Sequence, residues 1–158
     1  MIAAVLYVLA IIAANWAISI FGFVPVGFGL LAPAGVYFAG VGFTLRDIVQ
    51  DQLGRKWVIG VILLGAGVSA IISPRFALAS AVAFLVSELC DFAVYTPLRE
   101  RGWLRAVALS NLVGLTVDSL LFLYLAFGSV NFIAGQLVGK GWVTLVAIVL
   151  LWAWRTSR

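Results

Sequence analysis

The sequence predicts an all-α, polytopic membrane protein, a single domain over residues 1–158 built as a bundle of six transmembrane helices. Three observations carry this. The chain is 65% hydrophobic and 10% charged, with a mean hydropathy of +1.19, whereas an ordinary soluble domain has about 25% charged residues. So apolar a chain cannot cover a water-facing surface, and lipid must be its solvent. Six separate apolar stretches approach or exceed the ~20 residues that a spanning helix needs. Finally, Lys and Arg segregate between alternate connections, as a six-span topology requires.

The first helix is expected over residues 2–21, which carry no charge. No basic segment precedes this run, so it reads as a retained helix and not as a signal peptide. A Gly/Pro-rich connection follows over residues 22–29, with Pro25 inside it. The second helix is expected over 30–53, with Gly54 as its C-cap. The third covers 57–72 and stops before Ser73-Pro74. The fourth covers 76–95 and ends before Pro97, because the residue preceding proline is biased away from helical geometry. The fifth covers 104–127, and the sixth 141–154.

With these spans, Arg46, Arg55, Lys56, Arg99, Arg101, Arg105, Arg155 and Arg158 fall on one side, and Arg75 and Lys140 on the other. The basic side is cytoplasmic by the positive-inside rule, which puts both termini there. The net charge of +4 is therefore assigned to cytoplasmic loops facing a lipid bilayer, and no nucleic-acid partner is expected. Trp57, Trp103, Trp142, Trp152 and Trp154 lie near expected helix ends, where an interfacial belt would place them. The small pairs Ala66/Ala70 and Gly135/Gly139 permit close helix contacts.

Several chemistries drop out. The chain has no histidine and one cysteine, Cys90, so a Cys/His metal site and histidine-dependent catalysis are excluded. No G-x-x-x-x-G-K-[ST] phosphate loop occurs. With no nucleophile–base set either, the chain reads as a non-enzyme without a cofactor.

The informative residues are ionisable groups inside apolar helices, each costly at membrane depth unless it faces protein or water. Glu88, Asp91 and Tyr95 fall at i, i+3 and i+7 and share one face of the fourth helix. Asn111 and Asp118, seven apart, share a face of the fifth, beside Ser110 and Gly114. Counting at 1.5 Å per residue places Asp91 and Asn111 about 9–10 Å from the cytoplasmic ends of two antiparallel neighbours, with Glu88 and Asp118 deeper. A polar pocket between the fourth and fifth helices is the economical arrangement. Thr44, Arg46, Asp47 and Asp51 cluster at the cytoplasmic end of the second helix, either capping that pocket or fixing the helix through interfacial salt bridges. The three deep acids either pair with an arginine such as Arg46 or present acceptors to a ligand rich in N–H donors, to a cation or to a proton. Asn15 of the first helix could join the same pocket or bond a neighbouring helix.

At these positions the sequence resembles the vitamin uptake transporter (VUT) family, whose members include queuosine-precursor transporters. The resemblance rests on Phe43-Thr44-Leu45-Arg46-Asp47 through Leu53-Gly54-Arg55-Lys56, on Ser87-Glu88-Leu89-Cys90-Asp91 with Tyr95, Leu98 and Arg99, and on Ser110-Asn111, Gly114 and Val117-Asp118-Ser119. It spans roughly residues 40–125. The resemblance implies a six-helix fold similar to the substrate-binding components of energy-coupling-factor transporters, in a bacterial cytoplasmic membrane. It also implies uptake of 7-deazaguanine-type bases, the cyano and aminomethyl precursors of queuosine. On that reading Glu88, Asp91, Asn111 and Asp118 bind the base, and the Arg46/Asp47 cluster gates the site. One carboxylate can accept the adjacent ring N–H and exocyclic amine of a deazaguanine as a bidentate pair. A second could hold the aminomethyl cation, and Asn111 could serve the ring carbonyl. The alternatives are a proton- or cation-coupled transporter of another small solute, or the substrate-binding component of a larger complex. An energising ATPase module and a homo-oligomer are the protein partners left open.

Overall fold

The computed structural model describes the backbone of residues 1–156 and the side chains of all but positions 47, 51, 55, 92, 99, 103, 104, 107, 147, 148 and 150–156. Six α-helices account for most of it: α1 (Ile2–Phe21), α2 (Val36–Leu53), α3 (Arg55–Ile72), α4 (Pro74–Arg99), α5 (Trp103–Phe127) and α6 (Ile133–Thr156). Between α1 and α2 lies an antiparallel hairpin of β1 (Phe23–Gly27) and β2 (Leu30–Pro33).

The distribution of side chains is that of a membrane protein. Leu63, Leu64, Leu78, Leu112 and Tyr124 point outward, each more than half exposed. Arg46, Glu88, Asp91, Asp118, Gln136 and Lys140 are all turned inward. Such an arrangement is unfavourable in water and natural in hydrocarbon, where unpaired polar groups cost several kcal/mol each. Among the described residues, Ile2–Phe21, Pro74–Leu98 and Ala108–Phe127 are long and apolar enough to cross a membrane, and Lys56–Ile72 is a shorter apolar helix.

Three differences from the sequence expectation have identifiable causes. The Gly/Pro connection is structured: Phe23 pairs with Pro33, Val24 with Ala32 and Pro25 with Leu31, and an irregularity follows before Gly27 pairs with Leu30. The turn is closed by Gly27 and Gly29 at positive φ, a conformation that glycine adopts without steric cost. Consequently α2 begins at Val36 and not at residue 30, because Pro33 keeps the preceding chain extended. Next, α4 starts at Pro74, a position where a missing N–H costs nothing. It also runs through Pro97 to Arg99, so that proline falls in the last turn. Most consequential, α6 begins at Ile133, eight residues before the expected start. Lys140 therefore lies inside a helix and is buried, instead of in a loop on the membrane surface.

Packing follows the small residues. A side chain at Gly135 would run into the backbone of Leu31, and one at Gly139 would press on Val36 and Val26. The pair therefore seats α6 directly on the hairpin and the start of α2. Farther along α6, Trp142 stacks on Phe28 at the hairpin tip, with ring centroids 6.3 Å apart, so it anchors the turn and does not mark a helix end. The α2–α3 corner turns on Gly54 at φ 88°, which closes α2 as expected and opens α3. An apolar core of Tyr7, Ile11, Phe43, Val58, Ile62 and Phe84 joins α1 to α4. At the opposite end of the bundle, Phe23 packs on Phe127 and Phe132. There Arg75 donates from Nε and Nη2 to the Ala126 carbonyl at 3.0 and 2.6 Å, satisfying an orphan acceptor at the end of α5.

Candidate solute-binding site

The interior contains two ionic centres where the sequence suggested a single pocket. The first joins α2 to α4. The Arg46 Nε lies 2.9 Å from Glu88 Oε1, and its Nη1 donates to Asp91 Oδ2 at 2.9 Å. The i, i+3 spacing of Glu88 and Asp91 puts both acids on the face that α4 turns to α2, and the guanidinium fork spans them. Counted from Leu98, Asp91 and Glu88 lie about 10 and 15 Å into the apolar span. Gly114 of α5 faces the same carboxylate: a Cβ there would stand 3.5 Å from the Asp91 Cβ, an ordinary contact. Ser87 and Ser110 are buried nearby in sequence. The side chain of Asp47 lies outside the described residues.

The second centre joins α5 to α6. Lys140 Nζ donates to Asp118 Oδ2 and, at 2.8 Å, to Ser119 Oγ. Ser119 in turn donates to the Leu115 carbonyl at 2.7 Å. Asp118 and Lys140 are 3% and 1% exposed, and Asp118 sits midway along the span Ala108–Phe127. The ammonium also lies 5.9 Å from the centre of the Phe43 ring. Phe43 is one turn before Arg46 on α2, so it stands between the two centres.

This second centre opens on a cavity of about 30 Å³. Four helices supply its polar wall: Asn15 from α1, Ser80 from α4, Asp118 from α5, and Gln136 with Lys140 from α6. Phe84 and Phe122 contribute aromatic faces, and Pro33 and Val36 close the hairpin side. Asn15 is fixed on both sides, donating to the Ile11 carbonyl at 3.0 Å and accepting from Ser80 Oγ at 3.0 Å. Two buried acceptors on the wall have no hydrogen-bond partner among the described residues, Asp118 Oδ1 and Gln136 Oε1. Buried acceptors are normally paired, so two on one wall mark a place built for donors.

The expected site residues thus separate. Glu88 and Asp91 meet Arg46, and Asp118 meets Lys140. Asn111 is half-buried on α5 and lines neither centre nor cavity. The expected surplus of acids shrinks, because Lys140 is a second deep cation beside Arg46. Gln136 and Ser80 do not stand out in the sequence, and Lys140 reads there only as a basic residue on the outer side. The available signal was the i, i+4 spacing of Gln136 and Lys140, which puts both on one helical face.

A many-helix membrane protein with an ionic and hydrogen-bonding interior fits the architecture of a solute carrier, where intramembrane charges mark substrate and ion paths. Comparison with known families agrees: residues 71–155, more than half of the chain, match the family described as "Putative vitamin uptake transporter" (Vut_1). The chain belongs to this family. The matched segment includes both α4 acids, Asp118, Gln136 and Lys140 but not Arg46. No curated protein and no solved structure matches the chain.

Proposed function

We propose that the protein imports a 7-deazaguanine-type queuosine precursor across a bacterial cytoplasmic membrane, with both termini in the cytoplasm. The observation that carries this reading is Asp118, a carboxylate buried at mid-membrane depth in a member of an uptake-transporter family, with one oxygen unpaired toward a cavity. Its chemistry suits the adjacent ring N–H and amine of a deazaguanine. Phe84 and Phe122 supply faces on which a planar base can rest.

In this account the cavity at Asp118 is the binding site. The Arg46, Glu88 and Asp91 cluster, with Asp47 beside it in sequence, gates the cytoplasmic side. Asn111, two turns before Asp118 on α5, lines the route between them. A cavity of about 30 Å³ holds about two water molecules, so a base enters by displacing the hairpin wall. The orientation gains support from the burial of Lys140, which removes a basic residue from the outer loops and leaves Arg75 there.

A second reading has its own observation. The Lys140–Asp118 pair is a buried exchange point for a proton or cation, which favours ion-coupled transport. Whether an ATPase module or a second copy of the chain assists is tested by what co-purifies from detergent.

Binding is tested by thermal shift of the detergent-solubilised protein with guanine, 7-deazaguanine and the cyano and aminomethyl precursors. Selective stabilisation by the deazaguanines is expected. Equal responses to all four, or none, would overturn the substrate assignment.

A further inference from the structure

The cavity wall carries one cation and two unpartnered buried acceptors, and the geometry points to a readout of a planar ligand edge carrying one acceptor and two donors. Lys140 supplies the donor, and Asp118 and Gln136 the two acceptors. This assignment rests on the proposed function and adds to it the residues that discriminate among bases.

Four observations support it. Gln136 and Lys140 lie at i, i+4 on α6, so both reach the same wall of the cavity. Asp118 Oδ2 is taken by Lys140, while its Oδ1 and Gln136 Oε1 are buried and unpartnered. Asn15 and Ser80, the other polar lining residues, satisfy each other at 3.0 Å and compete for nothing. Finally, Lys140 is the one cation on this wall, and it cannot be abandoned there. A ligand that engaged the free Asp118 Oδ1 would draw on the carboxylate that balances a buried ammonium, which is costly to leave underpaired. A ring carbonyl beside the donor edge removes that cost, because Nζ exchanges part of its bond to Asp118 for the carbonyl oxygen.

One acceptor and two donors are carried by a lactam flanked by an amidine-type amine, as on the pairing edge of guanine and its 7-deaza analogues. A base without the amine leaves Gln136 Oε1 unsatisfied. One without the carbonyl gives Lys140 no replacement for what the ligand draws from Asp118. Sites that hydrogen-bond a substrate group discriminate strongly against analogues that lack it. The two residues therefore read different atoms of the same ligand.

The test compares binding of 7-deazaguanine with that of 7-deazahypoxanthine, which lacks only the exocyclic amine, by the full-length protein in detergent. The wild type is expected to prefer 7-deazaguanine by about tenfold or more, the value of one buried hydrogen bond. Gln136→Met keeps the side-chain length, removes the acceptor and is expected to abolish that preference while still binding the carbonyl-bearing ring. Gln136→Glu restores an acceptor, is expected to retain the preference, and serves if the Met variant does not fold. Preference unchanged in Gln136→Met, or abolished equally in Gln136→Glu, would overturn the assignment of Gln136 while leaving the proposed substrate standing. Absence of binding of either base to the wild type would overturn both.

Discussion

Lys140 of α6 and Asp118 of α5 form an ion pair that is almost entirely removed from solvent, and it ties together two helices that otherwise touch along a short stretch. α6 packs chiefly on α2 and the hairpin, whereas α5 packs chiefly on α4. The pair is therefore a polar link between two halves of the bundle, beside that of Arg46 with Glu88 and Asp91. It is also where a donor-rich solute would act on that link.

Removing one partner leaves the other as an uncompensated buried charge. Lys140→Met or Asp118→Asn is expected to destabilise the protein by about 3–5 kcal/mol. The double variant Asp118→Asn/Lys140→Met is expected to recover most of the loss, because no charge remains to be solvated. Thermal unfolding in detergent, analysed as a double-mutant cycle, reads the coupling. Additive losses in the double variant would show that the pair is not formed.

The first ionic centre makes a different demand. Arg46 reaches Glu88 with Nε and Asp91 with Nη1, both at 2.9 Å. A lysine has a single ammonium on a flexible stem and cannot reproduce that fork. Arg46→Lys is expected to lower stability by about 1–3 kcal/mol despite the conserved charge, and Arg46→Met by more. Equal melting temperatures for wild type and Arg46→Lys would show that the fork geometry is unimportant.

Much of this was legible in the sequence, and the failures share a cause. The α1 limits, the Gly54 corner and the shared face of Glu88 and Asp91 follow from local rules of periodicity and capping. The start of α6 did not, because Gly135, Gly139 and Lys140 interrupt the apolar run, even though the Gly135/Gly139 spacing reads as a helix-contact pair. Against a neighbouring backbone, the two glycines are the residues that permit contact. Lys140 was assigned to a loop because burying a lysine is costly, and the partner that makes it affordable lies 22 residues away in sequence. The hairpin was equally hidden, since part of its support comes from α6. With Lys140 in a loop, the acids seemed to share one pocket, and Asp118 could not be separated from Asp91.

Gly135 gives a direct check on that packing. A methyl group there would run into the Leu31 backbone, and backbone cannot rotate away. Gly135→Ala is expected to cost more than about 1 kcal/mol even though alanine is the better helix former. Gly141→Ala, whose added Cβ would meet nothing within 4 Å, is expected to be neutral or slightly stabilising. Thermal unfolding of the two variants side by side separates packing from propensity, and equal behaviour would contradict the seat of α6 on the hairpin.

Topology is testable by fusion. The proposed orientation puts Arg55, Lys56, Arg101 and Arg105 at the cytoplasmic end, so a fluorescent protein joined after residue 158 is expected to fold and fluoresce, and alkaline phosphatase at the same point to be inactive. An active phosphatase fusion would reverse the orientation and make the Arg75 end cytoplasmic.

The central claim is transport of a deazaguanine through the Asp118 cavity, and uptake measures it most directly. Cells lacking their own importer are given labelled queuosine precursor and express wild type or Asp118→Ala at equal membrane levels. Accumulation is expected with the wild type, and a loss of at least about tenfold with Asp118→Ala. No accumulation with the wild type, or undiminished accumulation with the variant, would contradict it.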